Sequence, residues 1–265
     1  EPGEADLRQY LDGMQDRIDD LSRPLEERQR LALEASATLD RVAQAAGSAE
    51  VQRRRWEQAA ALLDRFLEAQ PAAARSREIA LQAAVYRWAR AWTACRLAAE
   101  SPAQANLARS ARAELDSVIA ALRVLQAGPS GTRTDLETNV TYRLARALAD
   151  RDTLAGLPSV PPKHPDAEEA LRFLPSDVHD TAFRGQVALL RADLEVRLGR
   201  FADALAHLTD AERVHSALPR SECLRIRTEA MAGLGRTDEA LQLIDGAGPD
   251  PGPRTLLGAR VLVTR

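Results

Sequence analysis

The sequence predicts an all-α protein in which antiparallel helical hairpins stack one after another, with about eleven or twelve helices in all. Apolar residues recur at steps of three and four in nearly every segment, which is the spacing of one buried helix face. Prolines, glycines and helix-capping residues separate these segments at short intervals. The phrase LGRFADALAHL at 198–208 returns as LGRTDEALQLI at 234–244. The alternating apolar and polar runs that predict strands are absent.

Residues 1–154 form the predicted N-terminal region, a set of repeat-like helical hairpins. The first helix carries Leu7, Leu11, Met14 and Ile18 on a single apolar stripe. Each later segment begins near a capping residue or a proline and ends near a glycine or a proline. The six helices are expected at about 7–21, 24–47, 50–70, 72–100, 101–128 and 134–154. At 1.5 Å per residue, the fourth of these helices would be roughly 40 Å long.

A proline-rich stretch at 155–165 interrupts the helical pattern, and it predicts a linker or a long surface loop. Residues 166–265 then form the predicted repeat region. It begins with a short helix at 166–174, and its two hairpins pair 180–199 with 201–216 and 220–234 with 236–247. A further helix is expected from Thr255. Because that pattern is still periodic at Arg265, we expect the natural protein to continue.

The repeated phrase has the physical logic of a helical hairpin. Gly199 and Gly235 stand where one helix ends and the next begins, and glycine relieves the tight turn between them. Ala204 and Ala240 follow five residues later, where a small side chain lets two helices approach closely. We therefore interpret both Leu-Gly-Arg phrases as turns between helices, and not as phosphate-binding loops.

This pattern resembles the tetratricopeptide repeat over about 185–250, and WEQAAALLDRFLEAQP at 56–71 resembles the second helix of another unit. The resemblance implies a right-handed α-solenoid. It also implies that the first helix of each unit lines a concave face that binds a protein or peptide. Carried over by position, the partner-binding residues are Gln186, Leu189, Asp193 and Arg197 in one unit and Glu222, Arg225 and Glu229 in the next.

In its carboxylate-binding members, the same family uses lysine and asparagine on this face to hold the end of a peptide. Neither residue type occurs among the seven positions. Only Arg197 or Arg225 could supply the positive charge in their place. The sequence therefore leaves open which kind of peptide or protein segment would bind.

Composition excludes several functional classes. The chain has 36 basic and 39 acidic residues, a formal net charge of −3, so binding to nucleic acid or to anionic membrane is not expected. Lys163 is the single lysine, and it lacks the glycine loop that a phosphate-binding lysine needs. The excess of arginine over lysine is typical of a GC-rich genome, because arginine codons are GC-rich, and we expect a bacterial source.

No metal, cofactor or membrane span is predicted. Cys95, Cys223 and the four histidines show no metal-ligand spacing. No apolar run is long enough for a transmembrane helix. The chain begins at Glu1 without an apolar leader, so a targeting signal is not visible and the compartment stays open. The oligomeric state also stays open.

An aromatic cluster, Trp56, Tyr86, Trp88 and Trp92, is predicted in the third and fourth helices. It can be either the hydrophobic core of the N-terminal half or a groove for a ligand.

The first function that we expect from the repeat resemblance is a non-catalytic interaction scaffold. The alternative is a regulatory domain that senses a small apolar molecule beside these aromatic residues. An enzyme is not expected, because no catalytic constellation occurs in the sequence.

Overall fold

The computed structural model describes residues 3–71, 73–100, 105–128, 135–154, 164–176, 178–214 and 218–246. Across these ranges the chain forms eleven α-helices and no strand. This confirms the predicted all-α class, while the helix expected from Thr255 lies outside the described residues. The helices are α1 (Glu4–Asp19), α2 (Leu25–Ala45), α3 (Ala49–Ala69), α4 (Ser76–Glu100), α5 (Ala105–Gln126), α6 (Asp135–Leu154), α7 (Pro165–Phe173), α8 (Thr181–Arg197), α9 (Phe201–Val214), α10 (Arg220–Gly233) and α11 (Thr237–Gly246).

Contacts divide the chain into two compact units, Glu1–Arg143 and Leu144–Arg265. In the first unit, each helix from α1 to α5 packs against the next. In the second unit, α7 to α11 also pack in sequence, and α8 contacts α10 as well. The division lies within α6. The proline-rich stretch at 155–163 lies outside the described residues, so its role as a linker stays a prediction.

The core of the first unit is built from leucine, isoleucine and alanine on facing helices. Leu39, Leu63 and Ile79 are fully buried, and alanines at 35, 59 and 83 are completely inaccessible to solvent. Such small residues let neighbouring helices approach closely, while the branched side chains fill the space between them. This is the packing that the steps of three and four predict.

Both predicted hairpin turns close with the same hydrogen-bond pattern. Gly199 has a φ of 72° and Gly235 a φ of 78°, in the left-handed region that glycine adopts without steric cost. The Gly199 amide donates to the Val196 carbonyl at 3.0 Å, and the Arg200 amide donates to the Glu195 carbonyl at 2.8 Å. The amides of residues 235 and 236 repeat this pattern one unit later. These are Schellman turns, which satisfy the last carbonyls of α8 and α10.

The alanines after each turn lie in the seam of their hairpin, as the repeat predicts. Ala204 and Ala240 are both fully buried. A further close approach joins the two hairpins at Gly233, where an added Cβ would lie 2.4 Å from the ring of Phe201. Glycine is therefore required at the end of α10 because the Phe201 ring occupies the place of a side chain.

We expect Gly199→Ala and Gly235→Ala each to lower the free energy of unfolding by about 1–2 kcal/mol, since a side chain disfavours left-handed φ. Gly47→Ala is the matched control. Gly47 has no positive φ and no neighbour within 4 Å of an added Cβ, so a change within about 0.5 kcal/mol is expected. Urea denaturation followed by circular dichroism measures all three variants. Equal stability of the three would contradict the assignment of the turns.

Candidate partner-binding surface

The seven residues that the resemblance selects lie on two helices in contact, α8 and α10. Their exposure differs widely. Gln186 is exposed, and Arg197, Glu222, Arg225 and Glu229 are half-buried. Leu189 is only 5% exposed and packs in the apolar core of the hairpins, so its side chain supports the helices from beneath.

Asp193 is the centre of the polar contacts on these helices. Its carboxylate is 3% exposed, and it accepts a hydrogen bond of 2.5 Å from Arg197, one turn away on α8. The other carboxylate oxygen accepts from Arg225 on α10. One buried carboxylate thus bridges the two helices through two guanidinium groups.

The environment of Asp193 keeps its side chain ionised. Burial by itself would raise the pKa of this carboxyl group, because a low-dielectric surrounding disfavours the charged form. The positive charges of Arg197 and Arg225 outweigh burial and hold the pKa below its ordinary value. Removing this carboxylate would leave two guanidinium groups on a partly desolvated surface without their shared counter-charge.

The same contacts extend to α6, which the sequence did not assign to the surface. Arg197 donates to the carbonyl of Ala149 at 2.6 Å and to the Thr153 hydroxyl at 2.9 Å. Arg146 of α6 lies 3.9 Å from Glu222 of α10, and it also pairs with Asp150 at 3.5 Å. Three helices are therefore linked by charged side chains.

We call this surface the ion-pair face. Its members are charged residues of α6, α8 and α10 that contact one another, and they are Arg146, Asp150, Asp152, Asp193, Arg197, Glu222, Arg225 and Glu229. Three of the eight, Arg146, Asp150 and Asp152, were missed because α6 matches no repeat unit in the sequence. The spacing of Arg146 and Asp150 by four residues was the one available signal.

The ion-pair face does not offer a free cationic site for a peptide carboxylate. Arg197 and Arg225 both contact Asp193, and Arg225 also contacts Glu229 at 3.0 Å. An incoming carboxylate would have to compete with these fixed partners. Five carboxylates and three guanidinium groups make up the face, so its balance of charge is acidic.

A second buried carboxylate lies in the hairpin of α8 and α9. Glu195 is 5% exposed, and its Oε2 lies 2.8 Å from Nδ1 of His207. Burial raises the pKa of Glu195, and the hydrogen bond and charge of His207 offset only part of that effect. Arg191 and Asp203 also face this carboxylate, with opposite effects on its pKa.

The predicted aromatic cluster divides into two pairs. Trp56 is 7% exposed and Tyr86 is 2% exposed, and both belong to the core of the first unit. The indole Nε1 of Trp56 donates to Asp40 at 2.8 Å. Trp88 and Trp92 are half-buried and stack on each other, with ring centroids 6.4 Å apart.

A surface pocket of about 290 Å³ lies between α3, α4 and α5. Its lining is largely charged, and none of the four aromatic residues contributes to it. Arg90 spans it by pairing with Glu57 at 2.8 Å and with Glu114 at 3.0 Å. The pocket therefore differs from the apolar, aromatic site that the ligand-sensing alternative requires.

No protein-family model matches the chain, and no curated protein matches it. The tetratricopeptide resemblance thus rests on the residues quoted above and on the paired hairpins. Among the described helices, none is long and apolar enough to cross a membrane. Within the same residues, no group of three or more histidine, cysteine or acidic side chains is placed to hold a metal ion.

We expect Asp193→Asn to lower the free energy of unfolding by about 2–3 kcal/mol, because Arg197 and Arg225 lose their shared counter-charge while each keeps a second carboxylate partner. Since the pKa of Asp193 is lowered in the folded state, its contribution is complete above pH 3.8 and is lost as the pH falls through the folded pKa. Chemical denaturation at a series of pH values measures both effects.

Asp210→Asn is the control for this variant, because within the described residues the ion pair of Asp210 is with the exposed Arg213. Exposed pairs contribute at most about 1 kcal/mol. A loss for Asp193→Asn no larger than the loss for Asp210→Asn would contradict the central role of Asp193.

Glu195 has the opposite pH dependence. Its raised pKa means that the folded protein binds the proton more tightly than the unfolded chain, so stability falls as the pH rises from 4.5 through the folded pKa. Glu195→Gln keeps an oxygen acceptor for His207 but cannot ionise. We expect the stability of this variant, relative to the original protein, to increase across that pH range. The exposed Glu168→Gln should show no such trend, and a flat difference for Glu195→Gln would contradict the prediction.

Proposed function

We propose that this chain is a non-catalytic interaction region that binds a protein or peptide on the ion-pair face. The observation that carries the proposal is the continuity of that face across α6, α8 and α10. Two of these helices, α8 and α10, are the first helices of their hairpins, which is where the tetratricopeptide resemblance implies partner binding. We also propose that the hairpins of this chain stack in the right-handed superhelical arrangement of the tetratricopeptide family.

The contacts of the face favour recognition of a partner. Asp193 holds Arg197 and Arg225 in fixed positions, so little side-chain entropy remains to be lost when a partner binds. Glu222 and Glu229 keep 27% and 18% of their side chains exposed, and Gln186 on α8 is also exposed. A partner can therefore reach acidic and amide groups whose surroundings are already ordered.

The balance of charge favours a basic partner segment. Five carboxylates against three guanidinium groups attract arginine or lysine side chains, and they repel a terminal carboxylate. The charged groups of the face also satisfy one another, which suits a recognition surface better than a reaction centre. We therefore propose binding of a basic peptide segment without turnover.

Phage display of random peptides on the 265-residue chain tests the proposal. We expect the enriched peptides to carry arginine or lysine and to lose affinity as ionic strength rises. In fluorescence polarisation with one enriched peptide, Glu222→Gln combined with Glu229→Gln should weaken binding about tenfold, which corresponds to about 1.4 kcal/mol.

The matched control combines Glu168→Gln with Asp210→Asn, which removes the same charge from exposed positions off the face. Binding by this control should change little. The proposal fails if both double variants lose affinity equally, or if the enriched peptides are acidic.

A further inference from the structure

A second surface feature lies on α4, in the first unit. Trp88, Trp92 and Arg96 follow one another at steps of four residues, so they share one helix face. The two indole rings stack with an interplanar angle of 30°. The guanidinium carbon of Arg96 lies 5.3 Å from the centroid of the Trp92 ring.

The stack continues onto α6. The guanidinium group of Arg143 lies 5.9 Å from the centroid of the Trp88 ring and 5.7 Å from that of Tyr142. We call the four residues Arg96, Trp92, Trp88 and Arg143 the tryptophan–arginine ladder. Two positive charges therefore flank two stacked indole rings.

The ladder is not part of the apolar core. Trp56 and Tyr86 are buried in the core of the first unit, whereas Trp88 and Trp92 remain half-buried and Arg96 is exposed. Two of the three tryptophans in the chain are thus partly open to solvent. Tryptophan and arginine are the residue types that contribute most to binding energy at protein interfaces.

The arginines of α4 differ in their partners. Arg87 pairs with Asp64, and Arg90 pairs with Glu57 and Glu114. Arg96 is exposed, and its guanidinium group lies over the Trp92 ring. The planar guanidinium group can donate two parallel N–H bonds to a single carboxylate.

We propose that the tryptophan–arginine ladder binds an acidic peptide segment that carries an apolar side chain. A carboxylate of the segment accepts hydrogen bonds from Arg96. The apolar side chain covers the half-buried indole rings. The cation–π contacts restrict the guanidinium groups before binding, which reduces the entropy lost on association.

Charge complementarity selects this occupant. The charged group that the ladder exposes to solvent is the guanidinium group of Arg96, whereas the ion-pair face has more carboxylates than guanidinium groups. The two surfaces therefore bind segments of opposite charge, and this inference does not rest on the proposed function. A membrane surface is less favoured because only two indole rings are available, and both are half-buried.

The test uses two fluorescein-labelled twelve-residue peptides of matched length, one alternating glutamate with phenylalanine and leucine, the other with lysine in place of every glutamate. Fluorescence polarisation with the 265-residue chain should give at least about tenfold tighter binding of the acidic peptide. Tryptophan emission should change as the acidic peptide binds. The Glu222→Gln and Glu229→Gln double variant should keep this binding, which separates the two proposals.

Arg96→Gln is the decisive variant, because Arg96 is exposed and its loss removes no core contact. We expect binding of the acidic peptide to weaken about fivefold to tenfold. Arg54→Gln, at an exposed position on α3, removes the same charge and should have little effect. Trp92→Phe should weaken binding of the acidic peptide and reduce the change in tryptophan emission. An unchanged unfolding midpoint shows that this variant is still folded.

Three kinds of outcome would overturn the proposal. One is a lack of discrimination, seen as equal binding of the two peptides or as equal losses for Arg96→Gln and Arg54→Gln. Another is binding to vesicles of 30% phosphatidylserine that Arg96→Gln abolishes, without binding of the acidic peptide; this would assign the ladder to membranes. The third is self-association in analytical ultracentrifugation that Arg96→Gln abolishes and the acidic peptide does not compete with. This would assign the ladder to a second copy of the chain.

Discussion

The carboxylate of Asp193 is the interaction on which the second unit depends. It lies between Arg197 and Arg225, so it joins α8 to α10 with charges that burial would otherwise make costly. Arg197 in turn reaches the carbonyl of Ala149, which ties α6 to the same point. The positions of three helices are therefore specified by one carboxylate and the two guanidinium groups around it.

Apolar packing alone would specify these positions less strictly. Leucine and alanine surfaces tolerate small shifts between helices, whereas hydrogen bonds to a buried carboxylate hold only at defined distances and angles. The turns at Gly199 and Gly235 fix each hairpin, and Asp193 fixes one hairpin against the next. The glycine turns act within a hairpin, and the ion pairs of Asp193 act between hairpins. Together they explain how a short repeated sequence can specify the packing of several helices.

The sequence predicted the hairpins well because their signals are local. Gly199, Gly235, Ala204 and Ala240 each act within a few residues, and periodicity located the eleven helices. The sequence could not show that Asp193 is buried, because a polar residue on one helix does not reveal which side chains the neighbouring helix packs against it. Arg146 was missed for the same reason, since its partner Glu222 lies 76 residues away in the chain.

For the aromatic residues, too, the sequence did not show which side chains are buried. Tyr86 and Trp88 are two residues apart on α4, which places them on nearly opposite sides of the helix. The sequence counted them as one cluster, yet the core covers Tyr86 and leaves Trp88 half-buried. Burial of a large aromatic side chain is favourable, so a fold that keeps Trp88 and Trp92 together at its surface forgoes that stabilisation. Arg96 and Arg143 lie over the flanking rings at cation–π distances, and this attraction offsets part of the loss.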